Sequence, residues 1–100
     1  MAEPLTLCVL LWAHPGAEES LTAYEDQVLA FVPDHGGRVI LRARSNGADG
    51  HPLETHILEF PSPQALDAYV ADGRRQGLAA ERDRVIARTE IIEVDLVPGN

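Results

Sequence analysis

Two histidines, His14 and His51, are the side chains of this 100-residue chain best suited to move a proton. Imidazole changes charge near neutral pH, which fits it for general-base work. His14 follows the first strand and His51 precedes the third, beside Pro15 and Pro52. Arg44 or Arg42 offers a fixed positive charge, and Trp12 an aromatic wall. Abstracting a proton next to a carbonyl needs that set, a base tuned near neutral pH and a cation for the developing oxyanion. The plainer reading makes both imidazoles solvated loop residues.

The candidate ligand-binding set is Trp12, Tyr69, Arg75 and Arg44. A large aromatic ring beside an imidazole and a guanidinium suits a planar anionic ligand. Tyr69 and Tyr24 both lie on apolar helix stripes, so core packing competes with pocket lining for each. Arg75 belongs to a run with Arg74, Arg82, Arg84 and Arg88, interleaved with Glu81 and Asp83. That pattern reads mostly as a solvated helix face, from which Arg75 and Arg82 can reach the mouth of a pocket.

His56 points opposite to Thr55 on its strand, toward a core or an interface. His51 and His56 straddle a loop and a strand, and no cysteine or carboxylate completes a ligand spacing, so no metal is expected. A Cys-x-x-Cys-His haem-attachment motif does not occur. Cys8 is mid-strand, where a thiol packs inertly. Gly36-Gly37 follows a helix and opens a strand, the reverse of a phosphate-binding loop. No cofactor is therefore expected.

The elements that must position these residues follow from periodicity. Leu5 to Ala13 is a strand apolar on both faces, ended by His14-Pro15-Gly16. Leu21, Tyr24, Val28 and Phe31 mark a helix over roughly Ala17 to Val32, with Glu18 and Glu19 in its first turn. Pro33 and Gly36-Gly37 end it, and one of the two glycines is expected at positive φ. Strands follow at Arg38 to Ser45 and Leu53 to Phe60, separated by the loop Asn46 to Gly50. Ser62 and Pro63 start a second helix, carrying Ala65, Leu66, Tyr69 and Val70. Gly73 and Gly77 interrupt it before a further helical piece with Leu78, Ala79, Val85 and Ile86. The last strand spans Thr89 to Val97.

This β-α-β-β-α-β order is the ferredoxin-like α+β plan, a four-stranded antiparallel sheet with helices on one face. One domain over 1–100 is expected at this length. The bare face should carry Cys8, Leu10, Trp12, Ile40, Arg42, Arg44, Glu93 and Asp95. Strand pairing should gather Trp12, His14, Arg44, His51, Thr55 and His56 at one edge. A first strand apolar on both sides needs cover that two helices cannot give, so the expected partner is a second copy packed on the sheet face.

Gly36-Gly37-Arg38, then Glu59-Phe60-Pro61-Ser62, then Ala65 to Tyr69 on a helix resemble a bacterial family of unknown function. That family belongs to the dimeric α+β barrel superfamily, and the resemblance runs from about Tyr24 to Val97. It implies a ferredoxin-like protomer that pairs through its sheet. The family usually has Trp where this chain has Tyr69, and often Tyr then Arg seven residues on, where Arg75 and Arg82 stand here. The superfamily includes cofactor-free monooxygenases, isomerases, decarboxylases and haem-degrading enzymes, and fold does not choose among them.

Composition narrows the partners. With 16 acidic against 8 basic residues and a net charge of -8, the chain lacks the basic footprint of nucleic-acid or anionic-membrane binding. The apolar run at Leu5 is too short to span a bilayer, and no Lys or Arg precedes Arg38, unlike a secretory signal. A single cysteine calls for no oxidising compartment, so a cytoplasmic location is the expectation. Three functions stay open: a small-molecule binding dimer, a cofactor-independent enzyme (monooxygenase or isomerase) working through an enolate-like intermediate, and a structural or regulatory dimer without ligand.

Overall fold

Alternation and capping place the elements much as the sequence predicts. The structure, a computed structural model, describes residues 4–99. Strand β1 spans Leu5–Ala13, helix α1 Glu18–Leu29, strand β2 Arg38–Arg44 and strand β3 Glu54–Phe60. Three short helices follow, α2 at Pro63–Val70, α3 at Gly73–Gln76 and α4 at Ala79–Val85, then strand β4 at Ile86–Glu93. Strand order is β2-β3-β1-β4, every neighbour antiparallel, so β1 and β3 are central. This is the ferredoxin-like α+β architecture.

Local chemistry explains the boundaries. The Ser62 hydroxyl accepts from the Ala65 amide at 3.1 Å and Pro63 follows at the first helical position, a cap that fixes where α2 starts. Gly36 sits at φ 76 and closes the 3-10 turn Val32–His35 that succeeds α1. That left-handed residue lets the chain reverse into β2. Between β3 and β4 the glycines break the helical layer into three pieces, and the last runs straight into β4 at Ile86. The final strand therefore begins earlier than Thr89 and ends at Glu93.

The core lies between the sheet and the helices. Leu11, Leu21, Tyr24, Val28, Leu53 and Val85 form one cluster, and Leu7, Leu29, Val32, Leu58, Phe60 and Tyr69 the other. On β3 every second residue is buried, so Glu54, His56, Leu58 and Phe60 share the helix-facing side.

The bare face differs from expectation in two strands. Cys8, Leu10 and Trp12 do lie there, opposite the buried Leu7 and Leu11. Ile40, however, falls at a register shift between Val39 and Leu41. One extra residue reverses which side each following residue faces. Arg42 and Arg44 consequently pair with His56 and Glu54 and lie on the helix side, while Leu41 and Ala43 join the bare face. On β4, Glu93 pairs with Leu7 on the helix side and Ile92 with Cys8 on the bare side; Asp95 lies beyond the strand. An edge strand half-exposed on both sides does not show by alternation which face the helices cover.

Candidate functional site

The helix layer does not close over the β1–β4 side of the sheet. A cavity of about 100 Å³ remains there, lined by Leu7, Val9 and Leu11 below and by Leu66, Tyr69 and Val70 above. Tyr24 and Glu25 enter from α1, His56 from β3, Arg75 and Arg82 from the later helices, and Thr89 and Ile91 from β4. The walls are mainly apolar with a few convergent polar groups, the ordinary make-up of a small-molecule site.

Behind His56 in its wall runs a chain of ionisable groups built by the β2 bulge. Glu54 and His56, two residues apart on β3, share a face, and the bulge turns Arg42 onto it. Glu54 accepts from Thr22 Oγ1 at 2.6 Å, from Arg42 Nε at 2.8 Å and Nη2 at 3.1 Å, and pairs with His56 Nε2 at 2.8 Å. Arg42 also donates to Asp26 at 2.6 Å. Burial by itself would raise the Glu54 carboxyl, but the bonds from His56, Arg42 and Thr22 outweigh it and hold it down at about 2. Glu54 is thus a fixed anion, and the Arg42 guanidinium is held above its ordinary value by that contact.

Glu25 is different. It sits on the buried stripe of α1, 6% exposed, with Oε1 3.8 Å from His56 Nδ1. Burial pushes its carboxyl up to about 7, with His56 offsetting part of the effect. Two further groups face the same space with no hydrogen-bond partner, the Tyr24 hydroxyl and Arg75 Nε. Burial raises the Tyr24 hydroxyl and takes that of Tyr69 to about 12, so both stay protonated at neutral pH. Tyr69 donates its hydroxyl hydrogen to the Val28 carbonyl at 3.0 Å, and the Arg75 guanidinium lies 4.6 Å over its ring. Buried donors without partners are costly, and a ligand oxygen satisfies them.

Of the residues singled out from sequence, the structure brings Tyr69 and Arg75 together in this cavity. The rest fall elsewhere. Trp12, on the bare side of β1, donates from Nε1 to the Gly50 carbonyl at 2.8 Å and lies under Arg88, 4.5 Å from its ring centre. It shares a shallow depression with His51 at the Gly47–His51 turn. His14 is an exposed strand-end residue whose amide bonds to Val85. Arg44 is exposed and pairs with Glu19 of α1 at 2.9 Å. Trp12, Arg44 and His51 do reach one edge of the sheet, but on opposite faces, because the bulge turns Arg44 to the helix side. Tyr24, for which pocket lining competes with core packing in the sequence, lines the cavity, whereas sequence reasoning missed Glu25 and Glu54. Their signals were a carboxylate on an apolar helix stripe and a Glu-x-His pair on the buried face of a strand.

Among the described residues no group of three or more His, Cys, Asp or Glu is arranged to hold a metal ion, and no helix is long and apolar enough to cross a membrane.

No protein-family model matches the chain, and no curated protein matches it at a significant level. Solved structures do. The PA3566 protein of Pseudomonas aeruginosa superposes with a TM-score of 0.75 at 19% identity, covering 98% of each chain. A protein of unknown function from Rhodopseudomonas palustris gives a TM-score of 0.77 at 19% identity, covering 98% of this chain and 86% of that one. SnoaB from Streptomyces nogalater, described as a cofactor-independent oxygenase, gives 0.69 at 13% identity, with 96% and 97% covered. At such identities the likeness shows the fold alone, the ferredoxin-like α+β architecture described above.

Proposed function

We propose that the chain binds a small planar organic anion in the cavity between helices and sheet. The observation that carries this is the pair of buried, unpartnered donors, the Tyr24 hydroxyl and Arg75 Nε, on side chains that line a mainly apolar cavity. Apolar walls take a ring, and the two donors with Arg82 take its charged oxygen. Thermal-shift measurements with benzoate, salicylate and phenylpyruvate test it. At least one should raise the melting temperature of the wild type, and Arg75→Ala or Tyr24→Phe should abolish the rise. A flat response to all three overturns the reading and leaves a structural or regulatory dimer.

A second reading, a cofactor-independent enzyme working through an enolate-like intermediate, is favoured by Glu25 standing beside His56 in that same cavity. The likeness to an oxygenase described as cofactor-independent agrees with it but carries no reaction across at 13% identity.

The proposed assembly is a homodimer through the bare sheet face. Leu41 is 52% and Ile92 48% exposed on it, beside the half-buried Cys8, Leu10 and Ile57. The ion pairs Arg38–Glu59 and Arg88–Glu90 frame this apolar strip. An apolar centre with a charged rim is the anatomy of a self-complementary interface.

A further inference from the structure

The hydrogen on His56 is fixed from one side. Glu54 is an anion that accepts from Thr22, Arg42 and His56, so His56 Nε2 must carry a hydrogen. Its other ring nitrogen, Nδ1, faces Glu25 Oε1 across 3.8 Å. That gap is too long for a hydrogen bond. Glu25 therefore lines a mainly apolar cavity with no hydrogen bond to its nearest polar neighbour. The same cavity is lined by Tyr24 and Arg75, whose hydroxyl and Nε are buried donors with no acceptor of their own.

We propose that Glu25 is the general base for keto–enol tautomerisation of a small 2-keto acid bearing an apolar ring. The inference rests on the cavity being a binding site for a planar anion. Apolar walls hold the ring, and Arg75 and Arg82 supply positive charge for the carboxylate. The Glu25 carboxylate takes the proton from the carbon beside the carbonyl. The C–H electron pair becomes the carbon–carbon double bond, and the carbonyl π pair moves onto oxygen, where Tyr24 and Arg75 donate. Protonation of that oxygen from the Glu25 carboxyl yields the enol and regenerates the carboxylate, so no oxidant or reductant is consumed. A carboxyl near 7 serves both halves of this exchange at neutral pH. Glu54, itself held by Arg42, keeps the His56 ring in place with Nδ1 toward Glu25.

Phenylpyruvate is the probe. Ketonisation of its enol is followed by loss of absorbance, and deuterium uptake at its methylene carbon by proton NMR, while thermal shift reports binding separately. The wild type should accelerate both reactions over buffer. Glu25→Gln, nearly isosteric with the protonated carboxyl, should lower the rate about 100-fold or more, while phenylpyruvate still raises its melting temperature. Binding without acceleration, or equal rates in wild type and Glu25→Gln, overturns the inference and leaves the binding site standing. If phenylpyruvate fails to bind, the keto acid assignment falls, and if benzoate and salicylate fail with it the binding reading falls too.

Discussion

Glu25 and Glu54 are buried carboxylates on either side of His56 with opposite fates, and hydrogen bonding makes the difference. Glu54 collects bonds from three side chains and is held at about 2; Glu25, buried with His56 only at 3.8 Å, is pushed to about 7. The two act on stability in separate windows. A carboxyl lowered in the folded state gives stability that is complete above its unfolded pKa and lost as pH falls, here from about 4.5 toward 2 for Glu54. A raised one does the reverse. Between 4.5 and about 7 the folded protein holds a proton on Glu25 that the unfolded chain releases, so stability falls as pH rises. The groups facing Glu25 are His56 and Glu54 from β3, Arg42 from β2 and Arg75 from α3. Urea unfolding at pH 5 and pH 7.5 should show Glu25→Gln gaining about 2 kcal/mol on the wild type between the two conditions. Parallel curves for the two proteins would count against the burial of this carboxyl.

At the scale of elements, single residues decide where the chain turns. Gly36 has φ 76, and an added Cβ would stand 3.2 Å from Pro61 Cγ. Gly36→Val should therefore lower stability by about 1–2 kcal/mol or more, read as a lower urea midpoint with an unchanged slope. The Ser62 cap is a second such point, and Ser62→Ala should cost about 1 kcal/mol by the same measurement. Gly37 is constrained differently. Its φ is not positive, but a Cβ there would meet the Glu59 carbonyl oxygen and the Phe60 ring at 2.9 Å. The bulge at Ile40 matters most for function, because without it Arg42 would face away from Glu54 and leave that carboxylate short of its main cation.

The whole molecule is a slab, 44 × 39 × 17 Å, one sheet and one layer of helices thick. Such a slab has a second sheet face, and on this one the half-exposed Leu41 and Ile92 flank Cys8 and Leu10. A stable contact between proteins buries about 800 Å² per partner. Light scattering at micromolar concentration should accordingly give twice the mass of one chain. Leu41→Asp is the cleaner disruption, because Leu41 is on an edge strand and outside the core; it should yield a folded monomer. Leu10→Asp, on the central strand, should split the dimer and lower protomer stability as well. A wild type that scatters as a monomer would remove the dimer proposal.

Much of this architecture was legible in the sequence because it depends on local patterns. The bounds of β1, the Ser62–Pro63 cap, the left-handed glycine before β2 and the β-α-β-β-α-β order each follow from periodicity or turn chemistry within a dozen residues. Tyr69 and Arg75 were legible as candidates too, since one lies on a helix stripe and the other in a basic run. What only the tertiary structure decided depends on register and on burial. A bulge of one residue reverses the sides of Arg42 and Arg44, and no composition signal marks it in a run as even as Arg38 to Arg44. The ionisation of Glu25 and Glu54 depends on which neighbours arrive from α1, β2 and β3, residues up to 32 positions apart in the chain. Sequence spacing fixes which face of its own element a side chain takes. Its protonation state and its ligand depend on the field of the other elements, and that field exists only once they are packed.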